Sequence, residues 1–473
     1  MNRRKFFRYG SLATAGAALL SPIDLLGREP EYVNKGGTAK NIIMLISDGM
    51  STGTLNMADL YLSRLHGKSS HWIQLYKENR MSRALMDTAS ANSIVTDSAA
   101  ASSAFGGGVR VKNGSLNISP EGKEILPIWQ KFKKAGKKAG CVTTVPVTHA
   151  TPAGFCVWNK SRNAQAEIAE TYLEQEFDVL LGGGDQYFHS EKRKDGKNMF
   201  EAYQNKGYQV VHSRNEMLNV SSDKPLLGVF DHDALPFTLD WNSSKELQKK
   251  IPTLAEMSQK AINCMQSNPE GFVLQIEGGK VDWAAHANDI SALIHDQIAF
   301  DEAIKVAVDF AERNNDTLVI ITTDHGNANP GVIYGKAANE GFDSIGKYTQ
   351  TNEWLLNRID ADFSTQQIRE LVQEVNGFVL TDEESVYIQS FYHGLEKEEG
   401  LYNYRKLPFQ AFSEMQKKNN SIGWISMDHS ADYVEMAMMG PGSERLKPFV
   451  KNTDIHALML DAAGVSHNFN NFG

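Results

Sequence analysis

The chain has 473 residues, a net charge of −9, 41% hydrophobic residues and 22% charged residues. That length can bury a large core, in one α/β domain with an insertion or in two or three smaller domains. Past the first few residues it has no dense Lys/Arg run, so nucleic acid is not expected as a partner. An anionic substrate stays open, because bound cations can reverse the local field.

Residues 1–34 read as a twin-arginine-type export signal and linker. Asn2-Arg3-Arg4-Lys5-Phe6-Phe7 precedes an apolar stretch over 10–20 that is too short to cross a bilayer comfortably. This predicts a periplasmic or secreted protein exported after folding. No later segment resembles a membrane span, so no stable membrane insertion is expected. The three cysteines, Cys141, Cys156 and Cys264, form no CxxC motif and no disulfide framework. Cys141 and Cys156 lie among apolar neighbours and read as buried thiols.

Ordered structure is expected from Ala39. Residues 40–47 (KNIIMLIS) form an apolar, β-branched run closed by Asp48-Gly49, the pattern of a strand buried on both faces. Similar strands are predicted at 139–145, 177–181, 271–276 and 317–322. Helices are predicted between them at 127–135, 164–175, 253–266 and 290–314. Pro127 suits a first helical position, where its missing N–H costs nothing. Strands alternating with helices argue for a three-layer αβα sandwich around a mostly parallel sheet. Residues 335–422 are richer in Asn, Gln, Glu and Lys, with helical patterns at 364–373 and 382–394. They read as a mostly helical insertion into a core made of 35–334 and 423–473. The sheet resumes at 432–439, and a helix at 454–463 closes the chain.

Chemistry-bearing residues fall in five short segments: Asp48; Asp97-Ser98; Glu277, Asp282 and His286; Asp324-His325; and Asp428-His429. Together they supply carboxylates, imidazoles and one serine hydroxyl, which is the donor set of a two-zinc site with an oxygen-rich third site beside it. Asp48, Glu277 and Asp324 follow predicted strands, the edge where open α/β sheets gather their sites. Asp282 and His286 stand at i, i+4 and share one helix face. Ser98 reads as the first turn of a helix, near free N–H groups and the positive helix end. An ordinary Ser/Asp cap is the commoner reading of such a turn; the surrounding metal donors turn it towards a nucleophile.

The motifs resemble those of the bacterial alkaline phosphatases from about residue 41 to 442, apart from the insertion. Val95-Thr96-Asp97-Ser98-Ala99-Ala100 with Asn113-Gly114 resembles the family's nucleophile motif. Thr148-His149-Ala150-Thr151-Pro152-Ala153 with Ser161-Arg162 resembles its third-metal and phosphate-binding segment, and Glu277, Asp282 and His286 follow the family spacing. The resemblance implies a first zinc held by Asp282, His286 and His429. It implies a second zinc held by Asp48, Asp324 and His325, with Ser98 as transient ligand. Magnesium would sit with Asp48, Thr151 and Glu277, and Arg162 would fork onto two phosphate oxygens. It further implies a homodimer, and hydrolysis of phosphate monoesters through a phosphoserine. Three departures stand out: His149 and Trp283 replace the Asp and Lys of the best-known members, the insertion is long, and the family's paired-cysteine disulfides are absent. His149 and Trp283 are expected to tune the third site, making it less selective for magnesium. A diesterase or sulfatase of the same superfamily is the second enzyme reading, although Ser98-Ala99-Ala100 lacks the C/S-x-P-x-R context of sulfatases. An exported zinc- or phosphate-binding protein is the non-enzymatic one; turnover separates the two classes.

Overall fold

The run Asn41-Ile42-Ile43-Met44-Leu45-Ile46-Ser47 is buried at every position and forms strand β1 (Asn41–Ser47) at the centre of a sheet. The computed structural model describes residues 38–398 and 400–467, so the export signal read at 1–34 lies outside the described residues. Nine further strands complete the sheet: β2 (Ser82–Asp87), β3 (Lys138–Pro146), β4 (Val179–Gly183), β5 (Gln209–Val211), β6 (Leu226–Val229), β7 (Phe272–Gly278), β8 (Thr317–Thr322), β9 (Val434–Met439) and β10 (Phe449–Lys451). Their spatial order is β10-β2-β9-β8-β1-β7-β3-β4-β6-β5. From β8 to β5 every pairing is parallel; β9 alone runs antiparallel to both of its neighbours, β8 and β2.

Alternation along the strands builds the layers. Ile43, Leu45, Leu274, Ile276, Val319 and Ile321 pack on one face, with the helices Leu254–Met265 and Ile290–Arg313. Ile42, Met44, Ile46, Val273, Leu318 and Ile320 pack on the other, with Ile128–Lys134, Gln165–Glu174 and Asp454–Ala463. The protein is therefore an αβα sandwich with a mostly parallel central sheet, as the sequence predicts. The strand expected at 177–181 instead starts at Val179 and runs through two glycines. A Cβ on Gly183 would collide with the Asp233 carbonyl, so glycine here lets the next loop close over the strand end.

Among the described residues, 335–422 carry five α-helices: Ala338–Ser344, Asn352–Arg358, Thr365–Asn376, Asp382–Ser390 and Phe409–Asn420. Leu355, Leu356, Ile368, Val372, Tyr392 and Phe412 form a satellite core there. Phe342, Ile345, Tyr348 and Ile422 belong instead to the main core, so both ends of the segment are anchored in it.

Candidate active site

Four neighbouring parallel strands bring their ends together. Asp48 follows β1, Glu277 is the penultimate residue of β7, Asp324 follows β8 closely, and Thr143 faces Glu277 from β3 in register. Asp48, Glu277 and Asp324 are completely buried. Gly49 makes this approach possible: its φ is +65°, and a Cβ there would run into the Asp282 side chain. The helix Lys280–His286 leaves β7 and presents Asp282 and His286. Ser98 opens the helix Ser98–Gly107, whose N-cap Asp97 accepts the Ala100 N–H at 2.9 Å.

Three groups of donors have the spacing of cation sites: Asp282, His325 and His429; Asp48, Asp324 and His325; Asp48, His149 and Glu277. His286 adjoins the first, with Nε2 3.1 Å from His429 Nε2 and 3.4 Å from an Asp282 oxygen. Thr151 adjoins the third, with Oγ1 3.4 Å from Asp48 Oδ2. Ser98 Oγ lies 3.2 Å from His325 Nε2. Every site residue read from the sequence thus falls in one cluster except Arg162 and Trp283, which flank it through His149.

Among the described residues, Asp48 Oδ1, Glu277 Oε1, Asp324 Oδ2, His325 Nδ1 and His149 Nδ1 are buried without a hydrogen-bond partner. An unpaired buried polar atom is costly, and the convergence of the three carboxylate oxygens fits metal ions of the kind the donor set implies. Burial, reinforced by Asp324 and other neighbouring carboxylates, raises Asp48 well above the usual carboxylate range. Burial also pushes Glu277 up to about 7 and Asp324 up to about 6. Burial opposes ionisation of Asp282 too, but His286, His429 and His325 outweigh it and hold that carboxyl well below its ordinary value. His286 Nδ1–H donates to the Met427 carbonyl at 2.6 Å, and His429 Nδ1–H to the Thr96 carbonyl at 2.9 Å. A carbonyl only accepts, so these contacts fix each tautomer and leave Nε2 free to ligate.

Arg162 donates from Nη1 to Asp97 Oδ2 at 3.1 Å and from Nη2 to His149 Nε2 at 3.1 Å. His149 accepts as a neutral imidazole; burial, then Arg162, lowers its pKa to about 3. Trp283 meets His149 edge-on, with centroids 6.4 Å apart. The Lys280 ammonium lies 4.7 Å from the Trp283 ring centroid, so a cation does stand near the position, one turn earlier on the same helix.

Sequence reasoning picked out Asp97 beside Ser98 but gave it no role, and it missed two further supporting residues. Thr143, whose hydroxyl donates to Glu277 at 2.5 Å, looked like a strand former inside an apolar run. Asn327, whose amide donates to Asp282 Oδ1 at 2.7 Å, carried no local signal.

An αβα sandwich whose strand ends gather a serine among carboxylate–imidazole groups defines a class, the metal-dependent hydrolases. The family model "Alkaline phosphatase" matches residues 39–465. The chain is similar to alkaline phosphatase 4 of Bacillus subtilis (strain 168), 27% identical and covering 94% of each chain. It is 32% identical to the alkaline phosphatase of Escherichia coli (strain K12), over 61% of this chain and 70% of the relative. Among solved structures it resembles Thermus thermophilus alkaline phosphatase, with a TM-score of 0.84, 32% identity, and coverage of 95% of this chain and 96% of that one. The chain belongs to the alkaline phosphatase family and is a phosphoric monoester hydrolase of that metal-dependent family.

Proposed function

We propose that this protein is an exported alkaline phosphatase that works through a phosphoserine at Ser98, with two zinc ions and one magnesium ion. The observation that carries the reading is Ser98 Oγ beside His325, within a cluster of unpaired buried carboxylates and tautomer-fixed imidazoles. Asp282, His286 and His429 would hold the first zinc, and Asp48, Asp324 and His325 the second. Asp48, Thr151 and Glu277 would hold magnesium, with His149 beside them. When bound, the ions supply Lewis-acid charge that lowers the serine pKa and neutralises the leaving oxygen.

Ser98 Oγ, deprotonated, attacks phosphorus in line, and the Oγ–P bond forms as the bond to the alcohol oxygen breaks. Arg162 forks onto two non-bridging oxygens and holds the dianion in register. Asp97 aims that guanidinium and caps the helix on which Ser98 sits. Water then attacks the phosphoserine, releasing inorganic phosphate and restoring the serine. Residues 335–422 form an insertion into the hydrolase core. Arg3-Arg4 directs export to the periplasm or beyond. Among the described residues no helix is long and apolar enough to cross a membrane. Family resemblance supports a homodimer.

The test compares an aryl phosphate monoester, the diester and the sulfate, with zinc and magnesium added and Ser98→Ala as control. The expected result is fast monoester turnover, with two zincs and one magnesium per chain by elemental analysis. Acid quenching during turnover should trap phosphate on Ser98. Full activity of Ser98→Ala, or active protein free of zinc, overturns the mechanism.

A further inference from the structure

One cleft of 1540 Å³ is lined both by the metal-site residues Ser98, Asp282, His286 and His429 and by side chains of residues 353–418. Pockets for whole small molecules run from about 300 to 1,000 Å³, so this one exceeds what a phosphoryl group requires. On the far wall stand Tyr387, Phe391, Leu401, Tyr404, Arg405 and Phe409. Tyr387 is 53% exposed, Leu401 57% and Tyr404 37%, an apolar surface of the kind that marks a binding site. Each tyrosine is braced by a second ring. Tyr387 meets Phe391 edge-on with centroids 5.2 Å apart, and Tyr404 leans on buried Phe409 at 4.9 Å. Braced ring faces suit a flat aromatic partner better than a flexible aliphatic one.

Tyr404 ties this wall to the chemistry. It lines the same cleft as Ser98 and Asp282, and burial, then the charge of Glu353, raises its phenol above the ordinary value. Its hydroxyl has no hydrogen-bond partner among the described residues, and Arg405 has no ion-pair partner among them. A free phenol and a free guanidinium can meet the polar edge of a base or a sugar hydroxyl.

We infer that residues 387–409 form a leaving-group subsite for a planar ring, and that nucleoside 5′-monophosphates are the substrate class of this phosphatase. The inference rests on the serine-centred phosphomonoesterase reading. The phosphoryl group lies at Ser98 while the base stacks on Tyr387 and Tyr404, and the sugar spans the cleft between them.

Adenosine 5′-monophosphate and ribose 5-phosphate test it, because both release a primary ribose hydroxyl and differ by the base alone. The parent enzyme should show at least about a tenfold higher kcat/KM for the nucleotide, gained in KM. Tyr387→Ala/Tyr404→Ala should erase that advantage and leave ribose 5-phosphate turnover unchanged; Tyr387→Phe/Tyr404→Phe, which keeps both rings, should retain most of it. Adenosine should inhibit ribose 5-phosphate hydrolysis competitively in the parent and not in the alanine variant. An aryl phosphate separates the sources of the ring. If its KM alone rises in the alanine variant, the nucleotide assignment is wrong. Equal kcat/KM for the two ribose substrates in the parent overturns the subsite while leaving the phosphatase reading intact. No phosphate release from either substrate overturns both.

Discussion

Asp97 does three things with one carboxylate: it caps the Ser98 helix, accepts the Gly114 N–H at 3.0 Å, and anchors Arg162. Arg162→Ala should lower kcat/KM for monoesters by about 2–4 kcal/mol and for diesters by less; equal losses on both would remove its role in reading the dianion. Asp97→Asn keeps the cap but loses the ion pair, so its loss should be about tenfold and mostly in KM. His149 and Trp283 invite a different measurement. Imidazole suits zinc or cobalt better than magnesium, and Trp283 carries no charge for phosphate. The double variant His149→Asp/Trp283→Lys should show stronger magnesium activation and a lower phosphate inhibition constant than the parent. If neither quantity moves, these residues do not tune the third site. The position of Lys280 narrows the second expectation, since an ammonium already sits against the indole.

At the scale of elements, the helix Asn352–Arg358 is held at its start by two carboxylates from outside residues 335–422. Asp240 accepts the Thr351 N–H at 2.9 Å and the Thr351 hydroxyl at 2.8 Å, and Asp289 accepts the Asn352 N–H at 2.5 Å. Burial pushes Asp240 up to about 7. A carboxyl raised on folding contributes stability that is full below its unfolded value of about 4 and is lost as pH rises through the folded value. Asp240→Asn should therefore gain in Tm relative to the parent as pH goes from 5 to 9; a constant difference across that range would show that Asp240 does not titrate there. The central elements were legible because long, doubly buried runs such as 40–47 leave a strong mark. The short strands β5, β6 and β10, at or next to the sheet's edges, were not, having three or four residues each. The helix Thr52–His66 was passed over, although Ser51 caps its start and Gly67, in the left-handed region, ends it. Asp382–Ser390 stops four residues short of the expected end at Gly394. The antiparallel sense of β9 had no local mark, because strand direction is set by where the chain re-enters.

For the whole molecule, the site is a buried concentration of negative charge drawn from strands β1, β7 and β8, and the αβα layers are held together around it. Removing the cations leaves Asp48, Glu277 and Asp324 to repel one another in a dry interior. A ligand present at about 1,000 times its Kd stabilises a fold by about 4 kcal/mol, so chelation should lower Tm by about 4–5 °C for each ion removed. Restoring zinc should recover most of it; a Tm indifferent to chelator would mean the cluster is satisfied without metal. The donors Asp48, Glu277, Asp324, His325 and His429 could be read from the sequence because each sits in a short run of small or apolar residues. Their supports, Thr143 and Asn327, become visible only once the chain has folded.

The late arrival of β9 also sets a timetable. Leu85 of β2 pairs with Glu435, and the two-residue ribbon bearing His429 lies against Gly326–Asn327. At the usual pace of synthesis, His429 leaves the ribosome roughly 5–20 s after His325. Throughout that interval β8 waits with one open side and β2 with two, and the first proposed zinc site lacks one of its imidazoles. Completion of the first site is thus a late event in the birth of the molecule, whereas the donors of the other two sites are all made by residue 325; a chain that ends before residue 429 can acquire most of its hydrophobic core but never a complete first site.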